Sequence, residues 1–271
     1  MTELQQVEFE ILKTVLDICV RLDIRCFLVC GSALGAVKYG GFIPWDDDVD
    51  IAMYREDYRR FSEKAPELLP KYYFWQTYRT DPKAPFIFGK VRDSRTTYIE
   101  KSVAGIDMNH GVYIDVFPLD FYPEKRFSQW KLELQKKIYK HQIATVYQVK
   151  RCFLGRGLNT LNRFLGYQHR TAKTLAKYEK AIADYSGKRS DIVCNHGNWQ
   201  GKLEYSPQWH YGEGYWATFE GLKVRVPENY DAYLTQKYGD WRSDLPEEEK
   251  QGHHFYTICD LHRSYADYRK Q

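Results

Sequence analysis

The 271-residue sequence contains no apolar run approaching the length of a membrane span, no internal repeat and no low-complexity tract. The first absence excludes a transmembrane helix of about eighteen or more apolar residues, and the others exclude a repeat architecture or a long disordered tail. The six cysteines, at positions 19, 26, 30, 152, 194 and 259, lack paired CxxC spacing. They sit mostly among apolar neighbours and read as small hydrophobes. The opening MTELQQVEFE is acidic and has no charged-then-apolar leader, so a reduced, cytoplasmic protein is expected. Charge of one sign is also scarce. A net charge of +4 is small for this length and does not favour a binder driven by phosphate neutralisation, so no nucleic-acid partner is expected. Basic amphipathic helices can still lie on anionic lipid, which leaves open a peripheral contact at the inner face of a membrane.

What is present is a globular composition, 43% hydrophobic and 28% charged, with length enough for one large domain or a core with an appendage. Leu4, Val7, Ile11, Val15, Ile18 and Leu22 recur at helical spacing and predict an amphipathic helix. The strand RCFLVC follows, then a short helix to Lys38 with Ser32 placed to cap it and Gly40-Gly41 to end it. Arg55 to Leu69 reads as a helix, and YYFWQT, FIFGKVRD, TTYIE and VYIDVFPL read as strands. From Arg126 to about Val149, and from about Leu158 to Ala183, the pattern is long, basic and helical, with Gly155 and Gly157 as the break. ATFEGLKVRV reads as a hairpin turning at Glu220-Gly221, followed by one helix and a mostly irregular tail. The expected fold is α/β, a mixed sheet with flanking helices. The expected divisions are a catalytic core over 1–125, a helical insert over 126–185 and a C-terminal segment over 186–271 that completes the active site.

The chemistry concentrates in GFIPWDDDVDIAM, which brings four carboxylates to the start of a strand. Alternation puts Val49, Ile51 and Met53 on one face and Asp48, Asp50 and Ala52 on the other. Two like charges about 7 Å apart along a strand resist burial, and an oxygen-coordinated divalent cation removes that cost. Upstream, Gly31-Ser32 sits at a strand-to-helix turn whose free N–H groups suit a phosphate. Downstream, Asp115 points opposite to Ile114 and Val116 and supplies a third carboxylate. Asp48, Asp50 and Asp115 can therefore hold two Mg²⁺ or Mn²⁺ ions for displacement at phosphorus. An EF-hand reading fails, because Ile51 stands where that loop needs glycine and Pro44 opposes a preceding helix. Lys90 and Arg92, two apart on one strand face, are candidate diphosphate partners. Tyr205, Trp209, Tyr211, Tyr215 and Trp216 cluster in sequence and are packing, a stacking platform for sugar or cytosine, or a cage for quaternary ammonium.

GSALGAVKYGGFIPWDDDVDIAM closely resembles the signature of the LicD family of phosphotransferases, relatives of fukutin and fukutin-related protein. The resemblance extends through FGKVRDSRTTYIE, GVYIDVFPLD and the stretch from WHYGEGYWATFEG to QGHH, and so covers most of the chain. It implies a nucleotidyltransferase-like fold of the DNA polymerase β type, with Gly31, Ser32, Asp48 and Asp50 at the matching motif and Asp115 as the third carboxylate. It further implies transfer of a substituted phosphate, often phosphocholine, from a cytidine diphosphate (CDP) donor to a sugar hydroxyl of a surface glycan or its lipid-linked precursor. Lys38 stands where relatives carry a basic residue, and His253 and His254 match a histidine-bearing tail, so these three are expected to contact the donor. Asp46 and Asp47 are expected to support the ligands, and Trp45 to wedge under the acidic strand. Two alternatives remain at this point: transfer of the nucleoside monophosphate itself, or a non-catalytic protein that binds nucleotide or metal.

Overall fold

Helix α1, Glu3–Arg21, opens with a capping box in which Thr2 and Gln5 exchange side-chain and backbone hydrogen bonds. Its Leu12, Val15 and Ile18 are fully buried. The computed structural model describes residues 1–147, 153–186, 190–197, 201–252 and 255–268. Strand β1, Cys26–Leu28, leads into a sharp turn at Cys30, whose φ of 51° is left-handed. The Tyr233 hydroxyl accepts the Cys30 N–H at 3.1 Å and holds that turn. Helix α2, Cys30–Leu34, continues as a π-helical turn over Gly35–Tyr39 and stops at Gly40, with φ 67°. Glycine is needed there because other residues are strained at positive φ. Ser32 does not cap this helix, contrary to the expectation from sequence. Val29 is the N-cap, and the Ser32 hydroxyl instead accepts the Asp50 N–H at 2.8 Å.

Strand β2, Asp50–Tyr54, and helix α3, Arg55–Leu68, follow directly. Strands β3 (Tyr73–Gln76), β4 (Gly89–Asp93), β5 (Thr97–Glu100) and β6 (Val112–Phe121) complete the first half. The main sheet runs β1-β2-β6-β4-β3, with β2 and β6 parallel and the other neighbours antiparallel. Pro118 in the central strand is tolerated for a local reason. The Asp115 N–H donates toward β2, so alternation turns the Pro118 nitrogen to the other edge. There β4 pairs only as far as Val116 and strand β7, Ile192–Asn195, pairs only from Leu119. The missing N–H falls in the gap between partners.

One face of the sheet presents Ile51, Met53, Val91, Ile114 and Val116, all buried and covered by α1 and α3. The other presents Asp50, Lys90, Asp115 and Phe117 to a cavity. Helices α4 (Arg126–Ile143), α5 (Phe153–Phe164) and α6 (Thr171–Ser186) fall in the stretch expected from sequence as a helical insert, with Leu132, Ile143, Leu175, Tyr178 and Ile182 packed against Tyr78 and Ile87. Gly155 and Gly157 lie inside α5 and do not break the helical run as expected from sequence; the chain reverses at Gly166, with φ 74°. The ordinary glycine penalty of about 1 kcal/mol does not interrupt a cooperatively formed helix that Asn162 and Arg163 tie to the end of α4.

Strand β8, Tyr205–Pro207, extends the sheet at β7. The hairpin of β9 (Tyr215–Phe219) and β10 (Leu222–Val226) turns at Glu220 and Gly221, with φ of 51° and 79°, the two positive values of a type I′ turn. Its tip grips the chain ahead of the acidic run: Glu220 donates its N–H to the Gly40 carbonyl at 2.9 Å and accepts the Phe42 N–H at 3.1 Å. Helix α7, Tyr230–Tyr238, is followed by strand β11, Tyr256–Asp260, and the short helix α8, Tyr265–Tyr268. The tail is thus more regular than its sequence indicates, because β11 pairs with the distant β5.

Candidate active site

The carboxylates gather where β2 begins. Asp50 and Asp115 stand directly opposite each other on parallel neighbours, and Asp46, Asp48, Asp50 and Asp115 line one cavity of about 920 Å³. One carboxylate oxygen from each of Asp46, Asp47 and Asp48 lies within 4.8 Å of the other two. The expected ligand Asp48 is therefore grouped with the residues expected only to support it. Strand β2 starts at Asp50, so Asp48 precedes the ladder and the loop can fold its side chain toward Asp46 and Asp47. Burial pushes the Asp115 carboxyl above its ordinary value, Lys90 opposes that, and Glu100 and Asp48 add repulsion. An all-oxygen donor set of this density fits a hard divalent cation.

Gly31 borders the cavity, and a Cβ there would stand 2.7 Å from Asp46 Oδ2. A side chain at position 31 would displace the Asp46 carboxylate from its place beside the turn. Ser32 is buried and acts on the strand backbone through its bond to Asp50. Lys90 is also buried. Its ammonium lies 2.7 Å from Asp115 Oδ1 and 3.4 Å from the centre of the Tyr113 ring, so it is first a counterion and positioning group for Asp115. Arg92 is not brought to the cavity. It is wholly buried, donates from Nη1 to the Gly111 carbonyl at 2.7 Å and from Nε to Gln76, and lies over Tyr113. Lys38 lines the cavity mouth but is engaged: its ammonium donates to the Ser243 carbonyl at 2.8 Å and pairs with Asp244 at 3.1 Å. His253 and His254 lie outside the described residues.

The sequence cluster of aromatic residues disperses. Tyr205 packs on Tyr122, Tyr211 on Phe27 and Tyr233, and Tyr215 on Tyr230, while Trp216 lies beneath Lys223 and Arg225. None of the five, Trp209 included, lines the cavity. Its aromatic wall comes from elsewhere: Phe88 and Phe117, with ring centres 4.6 Å apart, and Tyr147 and Tyr178 from the insert. Trp45 is half-buried at the mouth, edge-on to Tyr39 at 6.2 Å, and does not wedge under the strand. The end of α7 and the segment after it close the far side with Tyr238, Trp241 and Phe255. A Cβ at Gly252 would stand 2.8 Å from Asp47 Oδ2.

Sequence reasoning missed His196, which lines the cavity and is 2% exposed. A lone histidine at the end of a short strand carries no spacing signal. Its Nδ1 lies 3.6 Å from Cys194 Sγ, and its Nε2 has no hydrogen-bond partner among the described residues. Burial, reinforced by Lys136, Arg55 and Lys140, holds the imidazole far below its ordinary range. In the unfolded chain it titrates near 6.5, at about the free value. Below that pH unfolding takes up a proton that the folded ring refuses, so His196 lowers stability progressively as pH falls from about 6.5. Urea midpoints measured at about pH 7.5 and 5.5 should separate less in His196→Gln than in the unchanged protein; an identical separation would refute the assignment.

Residues 23–159 match the family described as LicD/FKTN/FKRP, nucleotidyltransferase domain, about half of the chain. The chain belongs to the LicD family. The match contains Gly31, Lys38, Asp46 to Asp50, Lys90 and Asp115. Along nearly its full length the chain is similar to the lipopolysaccharide cholinephosphotransferase LicD of Haemophilus influenzae, 29% identical over 267 residues that cover 94% of this chain and 96% of that protein. It is also similar to the ribitol 5-phosphate transferase FKRP of Mus musculus, 29% identical over 121 residues, 42% of this chain and 20% of that protein. The human FKRP is 42% identical over 48 residues, 18% of this chain and 10% of that protein. The LicD-family chain is a phosphotransferase of the LicD type, and the carboxylates that line the cavity lie within the residues matched by the family.

Proposed function

We propose that this LicD-family protein moves a substituted phosphate, phosphocholine first among the candidates, from a CDP-activated donor to a sugar hydroxyl of a cell-surface glycan such as a teichoic acid, lipopolysaccharide or capsule precursor. The observation that carries the reading is the register that sets Asp50 beside Asp115 at a cavity also lined by Asp46 and Asp48. Asp48, Asp50 and Asp115, with Asp46 and Asp47 beside them, would hold one or two Mg²⁺ or Mn²⁺ ions. Such ions, when bound, neutralise the oxygens of a diphosphate. The bond between the acceptor oxygen and phosphorus forms as the bond to cytidine monophosphate breaks, and the proton of the acceptor hydroxyl is released to solvent. Lys90 favours the charged form of Asp115 against its burial and orients it, Gly31 leaves room beside the acidic loop, and the segment closing the far side limits water. Positioning then supplies most of the remaining rate. The rings of Phe88, Phe117, Tyr147 and Tyr178 offer π faces that suit a pyrimidine or a trimethylammonium head. The polymerase β type of nucleotidyltransferase fold is part of this reading, and the mixed sheet with two carboxylates on adjacent parallel strands supports it.

The test is a donor screen with Mg²⁺. CDP-choline, CDP-ethanolamine, CDP-glycerol and CDP-ribitol are compared by thermal shift and by the mass of the acceptor product. CDP-choline should raise the melting temperature most, release cytidine monophosphate and add phosphocholine to the glycan. An acceptor carrying a cytidylyl group would overturn the reading in favour of nucleotidyl transfer. No shift with any of the four would remove the cytidine assignment.

A further inference from the structure

The small net charge of the chain conceals a division. Residues 125–180 carry fourteen lysines and arginines against two glutamates, a net of +12, so the remainder of the chain is at −8. Both glutamates are engaged within the fold. Glu133 pairs with Lys136 at 3.0 Å and accepts from Tyr205, while Glu179 pairs with Arg55 at 3.1 Å and Arg79 at 2.6 Å. The outward charge of the insert is therefore almost purely positive.

On α4 the residues Phe127, Trp130, Leu134 and Ile138 fall within about 80° of one another around the axis, and they are 73%, 61%, 43% and 46% exposed. The surface at α5 repeats the pattern with Leu158, Leu161, Phe164 and Leu165, the phenylalanine 88% exposed. Asn162 donates to the His141 carbonyl and Arg163 to that of Thr145, each at 3.3 Å, which fixes α5 at the C-terminal end of α4. Exposed Arg126, Lys131 and Lys137 flank the apolar stripe. A stripe of this kind is not needed by the cavity, which takes Lys140 and Ile143 from α4 and Leu175 and Tyr178 from α6.

We infer that the outer face of α4 and α5 docks on an anionic phospholipid bilayer. Apolar side chains led by Trp and Phe and bordered by basic groups are what an interfacial helix needs, with rings at headgroup depth and cations against lipid phosphates. Nucleic acid would use the charge but leave the apolar stripe in water. No helix among the described residues is long and apolar enough to cross a membrane, so the contact is one of lying on the surface. The inference is independent of which donor the cavity accepts. It would bring the catalytic cavity to the surface where a lipid-linked acceptor is found.

The full chain is sedimented with vesicles of phosphatidylcholine alone and of phosphatidylcholine mixed equally with phosphatidylglycerol. Binding should be confined to the anionic vesicles and weaken with salt. The double variants Phe127→Ser/Trp130→Ser and Lys131→Glu/Lys137→Glu should each lower partitioning about tenfold, with melting temperatures and turnover of a soluble acceptor unchanged. No sedimentation with anionic vesicles would overturn the inference. So would retained binding in the apolar variant with equal competition by a polyanion, or a dimer in solution that buries Trp130.

Discussion

Asp50→Asn is expected to cut turnover about a thousandfold, roughly 4 kcal/mol in the barrier, with the fold intact. The backbone bonds of Asp50 survive this substitution. Its N–H donates to the Ser32 hydroxyl at 2.8 Å and its carbonyl accepts the Val29 N–H at 3.0 Å, and neither bond involves the carboxylate. Asp48→Asn, in the loop before the strand, should act in the same direction. The measurements are initial rates of cytidine monophosphate release and a circular dichroism melt for each variant. Near-normal rates in both would remove the carboxylate cluster from the mechanism proposed above. Asp115→Asn is a poorer probe, because it leaves the ammonium of Lys90, 2% exposed, without its charged partner. Loss of stability would then mix with loss of rate.

The largest expected effect on stability lies outside the cavity, at Arg55. This guanidinium makes a two-pronged contact with Asp120, at 2.7 Å from Nε and 2.5 Å from Nη2, and reaches Glu179 from Nη1 at 3.1 Å. Asp120 is 0% exposed. Arg55→Met should destabilise the protein by about 3–5 kcal/mol, since it strands a buried carboxylate. Pairing it with Asp120→Leu should recover most of the loss, because Glu179 keeps Arg79 and Tyr78 as partners. Urea unfolding at neutral pH measures both, and a single variant within about 1 kcal/mol of the unchanged protein would contradict the assignment. The ion pair joins the start of α3, the end of β6 and α6, whose Leu175 and Tyr178 wall the cavity. A weakened staple should therefore also loosen donor binding.

Much of the site was legible because its signals are local. Alternation along β6 fixes that Asp115 leaves the face of Ile114 and Val116. The two positive-φ residues of the Glu220-Gly221 turn follow from a two-residue connection between alternating strands. Arg92 shows the limit of the same argument. Parity sets it on the face of Lys90, yet Gln76 and the Gly111 carbonyl capture it two residues farther along the strand. Ser32 failed in a similar way. An N-cap is predicted from neighbours in sequence, whereas its hydroxyl is used by a strand 18 positions later. Gly155 and Gly157 read as a break because propensity acts residue by residue, while helix formation is cooperative over the whole run.

The sequence by itself determined most elements of the first half, the acidic run, the sheet face of Asp50 and Asp115 and the family to which they belong. Those properties depend on periods of 2 and 3.6 residues and on a contiguous motif. The tertiary structure decided which side chains meet. It drew Asp46 and Asp47 toward Asp48, turned Lys90 into the partner of Asp115, scattered the aromatic residues near Trp209 and assembled a different aromatic wall. It also buried His196 and gathered a basic, apolar face on the insert. Each of these depends on pairings between residues tens of positions apart, and no periodicity encodes which partner will be there.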